Sequence, residues 1–205
     1  MQIISLNDNY VRQTAYVLIE DHEAIVIDPG FNGRSICQIL EEYGASVKAV
    51  LLTHVHYDHI RDVKMIETET KILLYFHSDE TEFLIDGYKN YAKAFSRTFT
   101  LPKWYEKKPI GHLKKIHFKG HTITAHHTPG HTVGSLSYGT GNNLFSGDTL
   151  FFDSVGRTDL YSGEQTQMKQ SIDYLQKTFD DDTVVYPGHG KSATLAIIKE
   201  NNPYL

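Results

Sequence analysis

Short runs of β-branched and apolar residues alternate with polar breaks along the first half of the chain. Thr14–Glu20 and Ala24–Asp28 read as two strands joined by a turn at Asp21-His22. Asp28-Pro29-Gly30 then interrupts the pattern. From Ser35 to Tyr43, apolar residues at Ile36, Ile39, Leu40 and Tyr43 have the spacing of an amphipathic helix, and Gly44 follows as a stop. Val47–Thr53 is apolar almost without interruption, as expected of a strand buried on both faces, and Lys71–Phe76 reads the same way.

The second half predicts Lys114–Phe118, Thr122–His127, Gly134–Tyr138 and Asn143–Phe145 as strands divided by Gly and Asn turns, a mostly antiparallel set. Thr166–Phe179 follows as a helix, Thr183–Tyr186 as a strand and Ser192–Lys199 as a closing helix. Strand-rich halves bracketed by helices predict an α/β fold of two packed sheets with helices outside. Residues 78–109 combine helical spacing with many aromatics, including Phe83, Tyr88, Tyr91, Phe95, Trp104 and Tyr105. This insertion is a candidate lid or dimer surface. No repeat, low-complexity tract or linker is visible, so a single domain over residues 1–205 is expected.

Composition narrows the functional classes. The net charge of −5, with acids and bases interspersed, argues against a nucleic-acid partner. The densest basic stretch, Lys103 to Lys115, is broken by Glu106, Pro109 and Gly111 and reads as a solvated loop. A single cysteine, Cys37, excludes an internal disulfide. The first residues lack a basic and apolar leader pattern, and no window approaches about 18 uninterrupted apolar residues. The expectation is a cytoplasmic protein, monomer or homodimer, acting on a small molecule with no membrane or nucleic-acid partner.

Twelve histidines are many for this length, and their placement carries the chemistry. In Thr53-His54-Val55-His56-Tyr57-Asp58-His59, three histidines and a carboxylate directly follow an apolar strand. Residues i and i+2 of an extended segment point to one side, so His54 and His56 share a face. If a helix starts next, Asp58 and His59 approach the same region from another angle. Imidazole nitrogen and carboxylate oxygen bind zinc at about 2.0–2.2 Å, and four such ligands can serve two adjacent ions. Taken alone, Asp58 would serve equally as a helix cap.

Three more candidates stand at turns after strands, where binding residues are commonly displayed. They are His131 in Thr128-Pro129-Gly130-His131, Asp148 in Ser146-Gly147-Asp148-Thr149, and His189 in Pro187-Gly188-His189-Gly190.

These five ordered blocks, Asp28-Pro29-Gly30, His54–His59, His131, Asp148 and His189, resemble the metallo-β-lactamase superfamily over nearly the whole chain. The resemblance implies an αββα sandwich, two mixed sheets face to face with helices outside. It also implies two divalent metal ions, zinc first, with iron or manganese compatible. His54, His56 and His131 would hold one ion and Asp58, His59 and His189 the other, with Asp148 bridging and Asp28 structural. Asp58 and Asp148 are then the catalytic carboxylates, and a hydroxide held by the metals is the nucleophile. Water on such an ion has its pKa lowered to about 7, and a second ion helps polarise the substrate carbonyl.

Within the superfamily, Asp148 stands where zinc β-lactamases with a ligating cysteine carry that residue, which argues against β-lactam hydrolysis. His56 stands where flavodiiron oxygen reductases carry glutamate. Gly156-Arg157-Thr158-Asp159-Leu160 is similar to a block of small glyoxalase II-like proteins, which implies thioester hydrolysis of the hydroxyacylglutathione kind with Arg157 as a substrate contact. Asp159 and Lys191 occupy places where that group carries glutathione-contacting tyrosines. Persulfide dioxygenases share these motifs, and for them the resemblance implies one iron on His54, His131 and Asp148. A nuclease or a non-enzymatic metal-binding module are more distant alternatives.

Overall fold

The computed structural model describes residues 1–67 and 70–205. The chain divides into two compact units, residues 1–110 and 111–205, each built on one mixed six-stranded sheet.

The first unit begins with β1 (Gln2–Asn7), β2 (Thr14–Glu20) and β3 (Glu23–Ile27), an antiparallel meander. Asp21 and His22 make the β2–β3 turn with φ of 47° and 59°, the left-handed pair that a two-residue hairpin requires. Helix α1 (Gly33–Glu42) then leads to β4 (Ser46–Leu51), which pairs parallel with β3. After the short helix α2 (Tyr57–Ile60) come β5 (Ile72–His77) and β6 (Tyr105–Ile110), both parallel to β4, giving the order β1-β2-β3-β4-β5-β6. The central strands are buried on both faces, with Val17, Leu18, Ile25, Val50 and Leu51 at 1% exposure or less. Their uninterrupted apolar runs follow from that position.

The second unit is mostly antiparallel, as its turn-rich sequence predicts. β7 (Lys114–Phe118), β8 (His121–His127), β9 (Leu136–Thr140) and β10 (Asn143–Gly147) form a meander. Helix α3 (Gln165–Thr178) precedes β11 (Val184–Pro187), which runs parallel to β10, and β12 (Ala193–Thr194) and helix α4 (Leu195–Asn201) close the unit. Met168, Ile172 and Leu175 of α3 pack with Leu144, Val185, Leu195 and Ile198 in one apolar cluster.

One expectation is corrected. Lys103–Lys115 is not a solvated loop, because it contains β6 and the start of β7. Pairing with β5 buries Tyr105 and Ile110 while the residues between stay wet, and an edge strand tolerates both lysines and Pro109. Residues 78–109 are helical only in part. They contain single turns at Ser78–Glu80 and Ala92–Phe95, and their last residues belong to β6. Among the described residues no helix is long and apolar enough to cross a membrane.

Candidate metal centre

The segment after β4 builds one donor set. His54 and His56 follow β4, His56 on extended backbone, and their rings meet edge-on with centroids 4.6 Å apart. The chain turns into α2 at Tyr57, which swings His59 back until its ring centroid lies 4.1 Å from that of His54. Asp58 is carried in the same turn, its Oδ2 4.0 Å from His59 Nε2. His54, His56 and His59 are all at least 96% buried. Their orientation is fixed from behind. Asp28 at the end of β3 places Oδ2 2.9 Å from His59 Nδ1 and accepts hydrogen bonds from the Thr53 amide and hydroxyl. Thr53 Oγ1 also lies 3.1 Å from His54 Nδ1. With both Nδ1 atoms engaged, Nε2 is the nitrogen each ring presents for coordination.

The second unit builds another set at the ends of β8, β10 and β11. Nε2 of His131 and Nε2 of His189 each lie 3.6 Å from Oδ2 of Asp148. Two donors about 2.1 Å from one tetrahedral ion are separated by roughly 3.4 Å, so these spacings suit shared coordination. His131 Nδ1 contacts the carbonyl oxygen of Arg157 at 2.8 Å, which fixes that ring in turn. Gly156 lies so close to the Asp148 carbonyl that a Cβ there would collide with it. Imidazoles and carboxylates without thiolate form a donor chemistry that suits zinc, iron or manganese, so the residues present fit a divalent ion.

The metallo-β-lactamase superfamily matches residues 9–189, a span that includes every one of these donors. The chain belongs to this superfamily. A probable metallo-hydrolase, YqgX of Bacillus subtilis, is 32% identical over 95% of this chain and 93% of its own length. The hydroxyacylglutathione hydrolase GloC of Haemophilus influenzae is 28% identical over 91% and 89%. Among solved structures, the B3 metallo-β-lactamase BLEG-1 is 33% identical with a TM-score of 0.91, covering 100% of this chain and 99% of that one. TTHA1623, solved in a di-iron-bound form, is 27% identical with a TM-score of 0.84, covering 98% and 100%. The chain therefore has the metallo-β-lactamase fold, and its relatives include a probable metallo-hydrolase.

Each residue anticipated as a ligand in this superfamily member falls within one of the two donor sets. His54, His56, Asp58 and His59 are together in the first unit, and His131, Asp148 and His189 in the second. Arg157 contributes its backbone carbonyl to His131, while its guanidinium makes two 2.6 Å hydrogen bonds to Asp159. Those bonds hold the Asp159 carboxyl down to about 2. Three supporting residues went unanticipated. Thr53 bonds Asp28, fully buried Glu80 accepts the Val55 amide at 2.7 Å, and the Tyr91 ring meets His56 edge-on at 5.1 Å. Only Thr53, adjacent to the motif, carried a sequence signal for such a role.

Proposed function

We propose that the protein is a binuclear metal-dependent thioester hydrolase of the hydroxyacylglutathione kind. In this reading His54, His56 and His131 hold one ion, Asp58, His59 and His189 the other, and Asp148 serves both. The observation that carries it is the pair of donor sets, in which His54, His59 and His131 are each oriented by a neighbouring oxygen and Asp148 lies at coordination spacing from His131 and His189. Similarity to a named hydroxyacylglutathione hydrolase and to a di-iron protein supports the substrate class and the count of two ions.

Ions bound there supply Lewis-acid polarisation of a carbonyl and a water of lowered pKa, near 7. The chain's own contribution is positional. Asp28, Thr53 and the Arg157 carbonyl fix the ring planes, so the donors need little reorganisation when the substrate arrives. Asp58 and Asp148, the two carboxylates of the sets, add the negative charge that offsets repulsion between two cations.

A second reading, β-lactam hydrolysis, is favoured by one observation, the 33% identity to BLEG-1 over the full chain. It overrides the argument from Asp148 alone, which addresses only enzymes with a ligating cysteine. The experiment has two parts. Metal content per chain is measured on protein purified without added metal, and release of free thiol from a thioester panel is followed beside hydrolysis of a chromogenic cephalosporin. Two equivalents of metal and thiol release support the proposal. Cephalosporin hydrolysis without thiol release would replace it with the second reading. A single iron, with oxygen uptake on a persulfide, would replace it with the dioxygenase.

A further inference from the structure

On the first unit, a cleft of about 610 Å3 borders the ligand-bearing turn, and nothing assigned above uses it. Tyr57, between His56 and Asp58 in sequence, lines it, as does Arg61 one turn later. Its wall is aromatic. Tyr10 stacks on Phe31 with centroids 5.7 Å apart, and Phe95 lies 5.9 Å from Phe31 and 5.2 Å from Tyr57. Tyr10 remains 78% exposed, so its ring covers the core very little and is available as a stacking face.

Two guanidinium groups complete the lining. Arg61 lies over the Phe31 ring at 4.2 Å, which holds its planar fork against the aromatic wall, and Asp62 is beside it at 3.3 Å. Arg97 hydrogen-bonds the Ser96 carbonyl and makes no ion pair among the described residues. The acid of the lining, Asp8, is engaged by the backbone, accepting from the amides of Tyr10, Val11 and Gln13. The cleft therefore offers cationic forks beside flat apolar faces. Guanidinium groups recognise carboxylate and phosphate through paired N–H donors, and aromatic rings accept planar or apolar groups by stacking.

We propose that this cleft is the subsite for an anionic tail of the thiol carrier, its carboxylate or phosphate held by Arg97 and Arg61 and its apolar part laid on the open face of Tyr10. The assignment rests on the thioester reading for the other end of the ligand. It extends that reading by assigning the charge recognition to Arg97 and Arg61 of the first unit.

The test reads binding without turnover. S-hexyl thioethers of glutathione, coenzyme A and N-acetylcysteamine supply a carboxylate, a phosphate and a neutral tail, and their affinities for the metal-loaded enzyme are measured by titration calorimetry. One anionic thioether is expected to bind about tenfold tighter than the neutral one, and which of the two it is identifies the anion. Arg97→Gln is expected to erase most of that advantage, and Tyr10→Ala to weaken the same ligand several-fold. Both side chains are exposed, so the fold is not at stake. Equal affinity for all three thioethers overturns the subsite, as does an advantage that persists in both variants. If Arg97-dependent binding holds while no thioester is hydrolysed, the subsite stands and the thioester reading falls. Hydrolysis with no dependence on Arg97 overturns the subsite alone.

Discussion

Oδ2 of Asp28 lies 2.9 Å from Nδ1 of His59, and both side chains are buried to 2% exposure or less. Asp28 itself takes a left-handed backbone conformation, φ 46°, right after β3. A non-glycine residue in that region carries strain, which the surrounding structure must offset. The carboxylate does so by bonding Thr53 twice and His59 once. Asp28→Asn keeps the size but loses an acceptor and the charge behind the imidazole. Metal affinity is expected to fall about 10- to 100-fold, measured by competition with a chromophoric chelator. Retention of wild-type affinity would mean that the Asp28 contact only holds the turn.

Gly156 gives a steric prediction. A Cβ at this position would run into the Asp148 carbonyl and come within 3.2 Å of His131 Cγ. Neither neighbour is the far end of a flexible chain, so Asp148 or His131 must move. Gly156→Ala is expected to cost about 1–3 kcal/mol in urea unfolding, with a drop in bound metal per chain. A loss of stability with full metal content would place the damage outside the donor set.

Much of the donor set was legible in the sequence because it is compact there. Four candidate donors lie within six residues, and the spacing His54, His56, Asp58, His59 already implies a strand that turns into a helix. His131, Asp148 and His189 were legible for a related reason, since each follows a strand whose apolar run ends in a Gly or Pro turn. The edge strands of the first sheet were not. β1 has no strict alternation, and β6 reads Tyr-Glu-Lys-Lys-Pro-Ile, a sequence that only pairing with β5 makes into a strand. Supporting contacts such as Glu80 to Val55 were hidden too, because the partners are 25 residues apart and nothing local marks the acid as buried.

That hidden contact carries the next prediction. Glu80 is fully buried, and its Oε2 accepts the amide of Val55, the residue between His54 and His56. Glu80→Ala removes the acceptor and leaves that amide to find another inside the protein. The expected cost is about 1–3 kcal/mol of unfolding free energy. Because the same amide sets the path of the chain between His54 and His56, weaker metal binding should accompany it. Glu80→Gln keeps an acceptor oxygen and should restore most of both losses. Equal damage from the two variants would show that the negative charge matters more than the hydrogen bond.

His126 on β8 predicts the pH dependence of stability. Burial, and then the nearby His112, lower its pKa from 6.5 to about 4. Its Nδ1 lies 2.7 Å from the Tyr174 hydroxyl on α3, and its ring meets Phe179 with centroids 5.0 Å apart. The folded protein thus holds the neutral imidazole, while the unfolded chain takes up a proton near pH 6.5. Where the unfolded state binds more protons, stability rises with pH. This contribution is fully present above about pH 6.5 and is lost progressively as the pH falls towards 4. Between pH 7 and pH 4.5 the loss should reach about 2 kcal/mol. His126→Asn removes the titrating group, so its stability measured by urea unfolding should fall less over that interval than the wild type's. Parallel pH profiles for the two proteins would show that His126 is protonated in the folded state as easily as in the unfolded one, and that the neutral contact with Tyr174 is not what holds β8 to α3.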